Sequence, residues 1–346
     1  MRKKVFLIAG GSGGHIFPAI ALTEINKNFN YLFLLDERTE KLIRRKRFDY
    51  VKIISSKINL NLLLPIYIIK IFIGFIQSIF ILKKHKPDIV IGFGGYTSIP
   101  SIFAAKALKI KILIHEQNSI MGRTNRILSY LTKNIATTFK KTKFADKKAI
   151  YTGIPVRQKR SFKISTSKNF RILVVGGSQG AQIFSKIIPK IAGQLNNKAK
   201  KKIIVVQQVR KEDKLYLEKK YKKIKIILRL EEFFNDIYSE YNQCDLIICR
   251  CGSSTLAEIK LFKKFAVLFP LPSAMNNHQY FNALEFRKNN NCMIVNEKKV
   301  RFSRISKEIE KRIFLKKKSC KLKKQNKVKE EFLFSNLVKR ILEENV

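Results

Sequence analysis

The sequence predicts an α/β protein made of two Rossmann-like, doubly wound domains facing a cleft, and three observations lead to that expectation. Short apolar runs lead into glycine-rich turns that open helical segments, and this unit recurs at 5–26, 88–108, 171–192 and 245–262. The runs are continuously apolar rather than alternating, as parallel strands covered on both faces must be. The series also restarts at Arg171, after the turn Thr152-Gly153-Ile154-Pro155 and a polar, basic stretch. A chain of 346 residues suits two such domains, placed at 1–158 and 159–346. In open α/β sheets ligands sit beyond the carboxyl ends of the strands, so both sets of glycine turns are expected at the cleft.

Taken in order, residues 5–9 read as a first buried strand. Gly10, Gly11, Gly13 and Gly14 interrupt the apolar run too early for a signal-peptide core. Residues 58–82 are strongly apolar but broken by Asn59, Asn61, Pro65, Lys70 and Gln77. The expectation is a helix over 65–84 whose apolar face packs on the sheet and also meets lipid, bordered by Lys70, Lys83, Lys84 and Lys86. A spanning helix is disfavoured because Pro65 splits the run. The formal charge of +46, from 71 Lys and Arg against 25 Asp and Glu, favours anionic partners without choosing among them. Most of the lysines lie in short scattered runs, which a mutational bias at exposed positions explains. Five cysteines, with Cys249 and Cys251 flanking Arg250, form no C-x-x-C pattern and read as reduced thiols.

The chemistry is concentrated in the turns. Gly10-Gly11-Ser12-Gly13-Gly14-His15 brings backbone N–H groups close to a ligand anion at a helix start. It is neither a dinucleotide fingerprint nor a P-loop, since His15 stands where a P-loop needs Lys. A histidine at such a turn is a candidate base. Gly176-Gly177-Ser178-Gln179-Gly180 is the matching turn of the second half, where Ser178 can both offer a hydroxyl to a phosphate and cap the helix. Arg250-Cys251-Gly252-Ser253-Ser254-Thr255-Leu256-Ala257-Glu258 opens a helix whose positive end suits a diphosphate. Glu258 there is placed to accept from a ribose, although taken alone it reads better as a solvated first-turn carboxylate that stabilises the helix dipole. There is no D-x-D pair, so no metal site of that type is expected. Backbone dipoles and basic side chains would have to offset diphosphate charge.

Seven segments together resemble the MurG family of UDP-N-acetylglucosamine:lipid I N-acetylglucosaminyltransferases. They are 10–22 (GGSGGHIFPAIAL), 92–100 (GFGGYTSIP), 115–125 (HEQNSIMGRTN), 153–157 (GIPVR), 173–181 (LVVGGSQGA), 250–258 (RCGSSTLAE) and 272–283 (PSAMNNHQYFNA), in the family's order. The resemblance implies a GT-B fold, no cofactor, and a last helix near 330–342 that packs back on the first domain. It implies transfer of N-acetylglucosamine from UDP to the 4-hydroxyl of the lipid I muramyl sugar, with inversion, giving lipid II for peptidoglycan. By the same resemblance Ser12, Gly13, Gly14, Asn118, Arg157 and Ser178 contact the donor. Phe234 lies where uracil is read, Ser253, Ser254, Thr255, Leu256 and Ala257 line the phosphate site, Glu258 meets the ribose and Gln279 the sugar. His15 and then Glu116 are the candidate bases, and Tyr96 lies on the acceptor side. The implied partners are UDP-N-acetylglucosamine, lipid I, an anionic membrane surface at the cytoplasmic face of the inner membrane, and other cell-wall synthesis proteins. The pattern departs at Lys263-Lys264-Phe265, where the family has Gly-x-Pro, and at Cys251.

Three other readings fit the sequence less well. Another UDP-sugar:lipid glycosyltransferase would share the donor half, but residues 115–125 argue against it. A nicotinamide-dependent oxidoreductase lacks its fingerprint. A nucleic-acid binder fits the charge but has no binding motif, so no nucleic-acid partner is expected.

Overall fold

The computed structural model describes residues 2–11, 13–44, 47–58, 61–156, 169–177, 180–316 and 333–344. The chain divides into two units, Met1–Gln158 with Val328–Val346, and Lys159–Lys327.

The first unit alternates strands and helices: β1 (Lys4–Ile8), α1 (Gly13–Ile25), β2 (Asn30–Leu35), α2 (Glu37–Arg44), β3 (Tyr50–Lys52), α3 (Leu64–His85), β4 (Ile89–Gly92), α4 (Ser98–Ala107), β5 (Lys111–Glu116), α5 (Arg123–Leu128), β6 (Ile135–Thr137) and β7 (Ile150–Tyr151). The sheet order is β3-β2-β1-β4-β5-β6-β7, and its pairings are parallel. The direction of winding reverses between β1 and β4, so the turns after these two strands meet at the switch point. Side chains of β1 alternate: Val5 and Leu7 enter one core cluster, Phe6 and Ile8 the other. Both faces are therefore covered, which is why the strand reads as continuously apolar.

The second unit repeats the plan with β8 (Phe170–Val175), α6 (Gln182–Gly193), α7 (Asn197–Lys200), β9 (Ile203–Gln208), α8 (Lys214–Ile224), β10 (Ile227–Glu231), α9 (Ile237–Gln243), β11 (Leu246–Arg250), α10 (Ser253–Phe262), β12 (Phe265–Phe269), α11 (His278–Arg287), β13 (Cys292–Ile294) and α12 (Phe302–Lys316). The order is β10-β9-β8-β11-β12-β13, with the switch between β8 and β11. The last helix, α13 (Leu333–Glu343), belongs to the first unit. Its Phe334, Leu337, Val338 and Ile341 sit in the cluster beneath β1 and α1. Asn26 donates to Ser335 at 3.2 Å, and Lys111 donates to the carbonyls of Ile341 and Glu344 at the helix end.

Helix α3 runs as expected from the proline: Pro65 marks its start, standing in the first turn of a single helix of 22 residues, where its missing N–H costs nothing. One edge of the helix packs against the sheet: Leu82 lies in a core cluster with Phe6, Ile8 and Val90, and Phe75, Ile79 and Ile81 pack against it. Only Gly74, Ser78 and Leu82 are buried, while Ile69, Phe72, Ile76 and Phe80 are among the exposed side chains. The buried stripe is fastened by polar contacts. Ser78 and Ser101 hydroxyls are 2.9 Å apart, Gln77 donates to the Lys52 carbonyl at 2.7 Å, and the Ile54 N–H donates back to Gln77 at 3.0 Å.

The departure at Lys263 has a local consequence. This residue caps α10 in the left-handed region, at φ 49°, a conformation in which a side chain costs roughly 1–2 kcal/mol. Glycine adopts it freely. Lys263→Gly is expected to stabilise the chain by about 1 kcal/mol, less than the full strain because glycine also loosens the unfolded chain. Urea unfolding of the pair checks this; an equal or lower midpoint for the glycine variant contradicts it.

Candidate functional site

In the first unit the site begins where the turns after β1 and β4 interlock. Gly95 has φ 79°, and a Cβ there would lie 2.8 Å from the Gly10 carbonyl oxygen; one on Gly10 would lie 2.0 Å from Thr97 Oγ1. Only glycine permits this approach. Asp36, just past β2, ties the turns together. Its Oδ2 accepts from the Gly11 N–H at 2.9 Å and from the Tyr96 hydroxyl at 2.6 Å, and its Oδ1 accepts from the Thr39 hydroxyl at 2.7 Å. Burial, and then the bond to Asp36, push the Tyr96 hydroxyl up to about 12, so it stays a donor. In a dinucleotide site an acidic residue at this strand end takes the ribose; here it is committed to the turn.

His15, in the first turn of α1, places Nδ1 3.0 Å from Gln117 Oε1. Gln117 Nε2 in turn lies 3.1 Å from His115 Nδ1 and 2.9 Å from the His115 carbonyl oxygen. His115 Nε2 lies 2.9 Å from the Gly153 carbonyl oxygen. His115 and Gln117 are buried, and the Phe334 ring packs edge-on against His115 with centroids 4.7 Å apart. Glu116, the other candidate base, is 2% exposed and already holds four donors. The Asn118 N–H and side-chain amide reach Oε1 at 2.9 and 3.2 Å, and the Gly122 N–H and Asn125 amide reach Oε2 at 3.0 and 2.8 Å. It organises the loop from 118 to 125 that carries Asn118. Gly13 and Gly14 open α1. Ser12, Arg157 and Ser178 lie outside the described residues.

The second unit builds its turn in the same way. The Gly176 N–H donates to Gln208 Oε1 at 3.1 Å; Gln208 ends β9 as Asp36 follows β2. Helix α10 is capped by the extended Gly252, leaving the first N–H groups of the helix without carbonyl partners of their own. Ser253 is buried. Ser254 Oγ is buried with no hydrogen-bond partner among the described residues. Leu256 turns into the core, and its N–H bonds the Gly252 carbonyl. Glu258, on the second turn, is not a solvated carboxylate: its oxygens accept from Tyr238 at 3.3 Å and Tyr241 at 3.2 Å. Phe234 is buried in the cluster with those tyrosines. Gln279 Oε1 accepts from the Cys251 and Leu271 N–H groups, at 3.1 and 3.0 Å, while Asn282 donates to the Cys251 carbonyl at 3.3 Å. Arg250 is taken by Glu297 and the Phe269 carbonyl, so it is not held ready for a phosphate. Asp36, Gln117, Gln208, Asn282, Tyr238 and Tyr241 were not singled out as site residues from sequence. The signal for Asp36 and Gln208 was their place at the end of the second strand of each half.

The profile of the Glycosyltransferase family 28 N-terminal domain matches residues 5–137, and that of the family's C-terminal domain matches 171–341. The chain belongs to glycosyltransferase family 28. The two matched ranges contain the turns of the two switch points. A relative from Rickettsia canadensis (strain McKiel) is 38% identical over 293 residues, covering 81% of this chain and 82% of its own length. One from Wolbachia sp. subsp. Drosophila simulans (strain wRi) is 38% identical over 298 residues, covering 85% of each. Both carry the name UDP-N-acetylglucosamine--N-acetylmuramyl-(pentapeptide) pyrophosphoryl-undecaprenol N-acetylglucosamine transferase. Among solved structures, MurG of Acinetobacter baumannii has a TM-score of 0.71 at 26% identity, covering 99% of this chain and 96% of that one. The family 28 assignment thus extends to the fold, two parallel-sheet α/β domains of the GT-B type.

Proposed function

We propose that this family 28 chain transfers N-acetylglucosamine from UDP-N-acetylglucosamine to the 4-hydroxyl of the muramyl sugar of lipid I, forming lipid II. The observation that carries the reading is the pair of relatives named for this transfer at 38% identity over more than four fifths of the chain. The geometry suggests the roles. His15 removes the proton of the acceptor hydroxyl, whose oxygen forms a bond to the anomeric carbon from the face opposite UDP. The bond from that carbon to the diphosphate oxygen breaks, its electron pair leaves with UDP, and the configuration inverts.

The open N-terminus of α10, with the unpartnered Ser254 hydroxyl, suits the phosphates, and its N–H groups offset charge on the leaving UDP. Glu258 accepts from the ribose, and the buried Phe234 leaves only its backbone for the base. Gln279, whose oxygen is held by two backbone N–H groups, has its amide nitrogen left for a sugar hydroxyl. Gly13 and Gly14 contribute backbone N–H groups, and Asn118, held by Glu116, a side chain. Ser12, Arg157 and Ser178 complete the proposed donor set. Tyr96 shapes the acceptor side through Asp36, and Glu116 acts by holding its loop, since its lone pairs are already occupied. Transfer of labelled N-acetylglucosamine to lipid I tests the reading. Transfer to a different lipid acceptor, or from a different UDP-sugar in preference, would replace it.

The enzyme would work at the cytoplasmic face of the inner membrane as a peripheral protein. Helix α3 is long and apolar enough to cross a membrane by length and composition, yet its Gly74, Ser78 and Leu82 stripe is docked on its own domain. The opposite face, with Phe72 and Phe80 more than 60% exposed, suits shallow insertion between lipid tails, with Lys70, Lys83 and Lys84 toward anionic headgroups. High salt or alkaline washing is expected to release the protein from membranes. Release by detergent alone would instead indicate a span.

A further inference from the structure

We infer that Gln117 and His115 select the tautomer of His15, placing the hydrogen on Nδ1 and leaving the Nε2 lone pair to receive the acceptor's proton. This rests on His15 being the base. The Gly153 carbonyl oxygen has no hydrogen to give, so His115 Nε2, 2.9 Å away, carries one. Burial pushes His115 down to about 4, against the smaller opposing effect of the Gly153 bond. The ring is therefore neutral at physiological pH, and its Nδ1 is a lone pair.

Two acceptors now face one end of Gln117: His115 Nδ1 at 3.1 Å and the His115 carbonyl oxygen at 2.9 Å. Only the amide NH2 satisfies both. The Gln117 oxygen must then be the atom 3.0 Å from His15 Nδ1. An amide oxygen only accepts, so His15 Nδ1 donates and Nε2 is left bare. As Nε2 takes up a proton, positive charge develops on the ring, and the Nδ1–H bond to Gln117 strengthens. The glutamine thus does with a neutral dipole what a carboxylate does for the histidine of a serine-protease triad. Neither Gln117 nor His115 needs to touch substrate; they are positioning residues. His115 is itself held by the edge-on Phe334 ring.

The test uses the full chain labelled with 15N-histidine, at about pH 9, where free imidazoles are neutral. Long-range proton–nitrogen spectra should show His15 protonated at Nδ1 and His115 at Nε2. The four histidines are assigned by single substitutions. Steady-state kinetics of Gln117→Leu should show about tenfold lower kcat, the scale of one charge-assisted hydrogen bond, with KM for the donor unchanged. His15 protonated at Nε2 in the unmodified enzyme overturns the inference even if Gln117→Leu does not fold. So does an unchanged kcat in Gln117→Leu while His15→Ala is disabled. Full turnover in His15→Ala would instead defeat the assignment of the base, a separate failure.

Discussion

Replacing His15 with alanine is expected to lower kcat roughly a hundredfold or more, the usual scale for loss of a general base, with little change in donor affinity. The imidazole sits in the first turn of α1 with one nitrogen already engaged by Gln117, so its loss removes a proton acceptor without disturbing the core beneath. Donor affinity should survive because the features assigned to the diphosphate belong to α10. Turnover with lipid I and equilibrium binding of UDP-N-acetylglucosamine, measured on the same preparation, check both halves of the statement. If turnover persists near the parent value, the proton must leave by another route. Glu116 is a poor substitute, since four donors already occupy its carboxylate.

Glu258→Ala is expected to weaken UDP-N-acetylglucosamine binding about ten- to a hundredfold, from hydrogen bonds to a charged acceptor of roughly 1.5–3 kcal/mol. The loss should be much smaller for a donor analogue lacking the ribose hydroxyls, because that analogue never made the bonds. The two tyrosine hydroxyls on this carboxylate add a condition. Removing Glu258 also leaves Tyr241, which is fully buried, short of an acceptor. A stability loss common to both donors should therefore accompany the effect, and the comparison of two enzymes with two donors separates it from ribose recognition. A coupling near zero between Glu258 and the ribose hydroxyls would leave the carboxylate as a structural acceptor for Tyr238 and Tyr241 alone.

The fold was legible because its signals are local. Unbroken apolar runs such as Leu173-Val174-Val175 and the glycines after them declare strand, turn and helix within a few residues, and the repeat of that unit declares a parallel sheet. The GT-B assignment followed from seven motifs in order and agrees with the family 28 relationship. What the sequence hid were partnerships across long separations. Asp36 follows an apolar run with nothing in its neighbours to mark it; its role emerges only when Gly11 and Tyr96, 60 residues further on, meet it. Gln117 was read as part of a motif, without its bonds to two histidines that flank it in space. Helix α3 was legible in its extent and less so in its surroundings. Its apolar residues continue round the helix, and the sequence does not say how many of them meet the sheet and how many the outside.

The placement of α13 bears on how the protein is made. All the strands of the first sheet are synthesised by Tyr151, yet Phe334, Leu337, Val338 and Ile341 of its core emerge only after the second unit. At bacterial elongation rates of about 5–20 residues per second, the intervening chain takes roughly 10–35 s to produce. During that interval the nascent first domain has an uncovered apolar groove under β1 and α1, and His115 lacks the ring that packs against it. The second unit, by contrast, is continuous in sequence and has its whole core before α13 is made. The unit begun first is therefore completed after the second, and a chain cut short before α13 would carry a finished second unit and an unsealed first one.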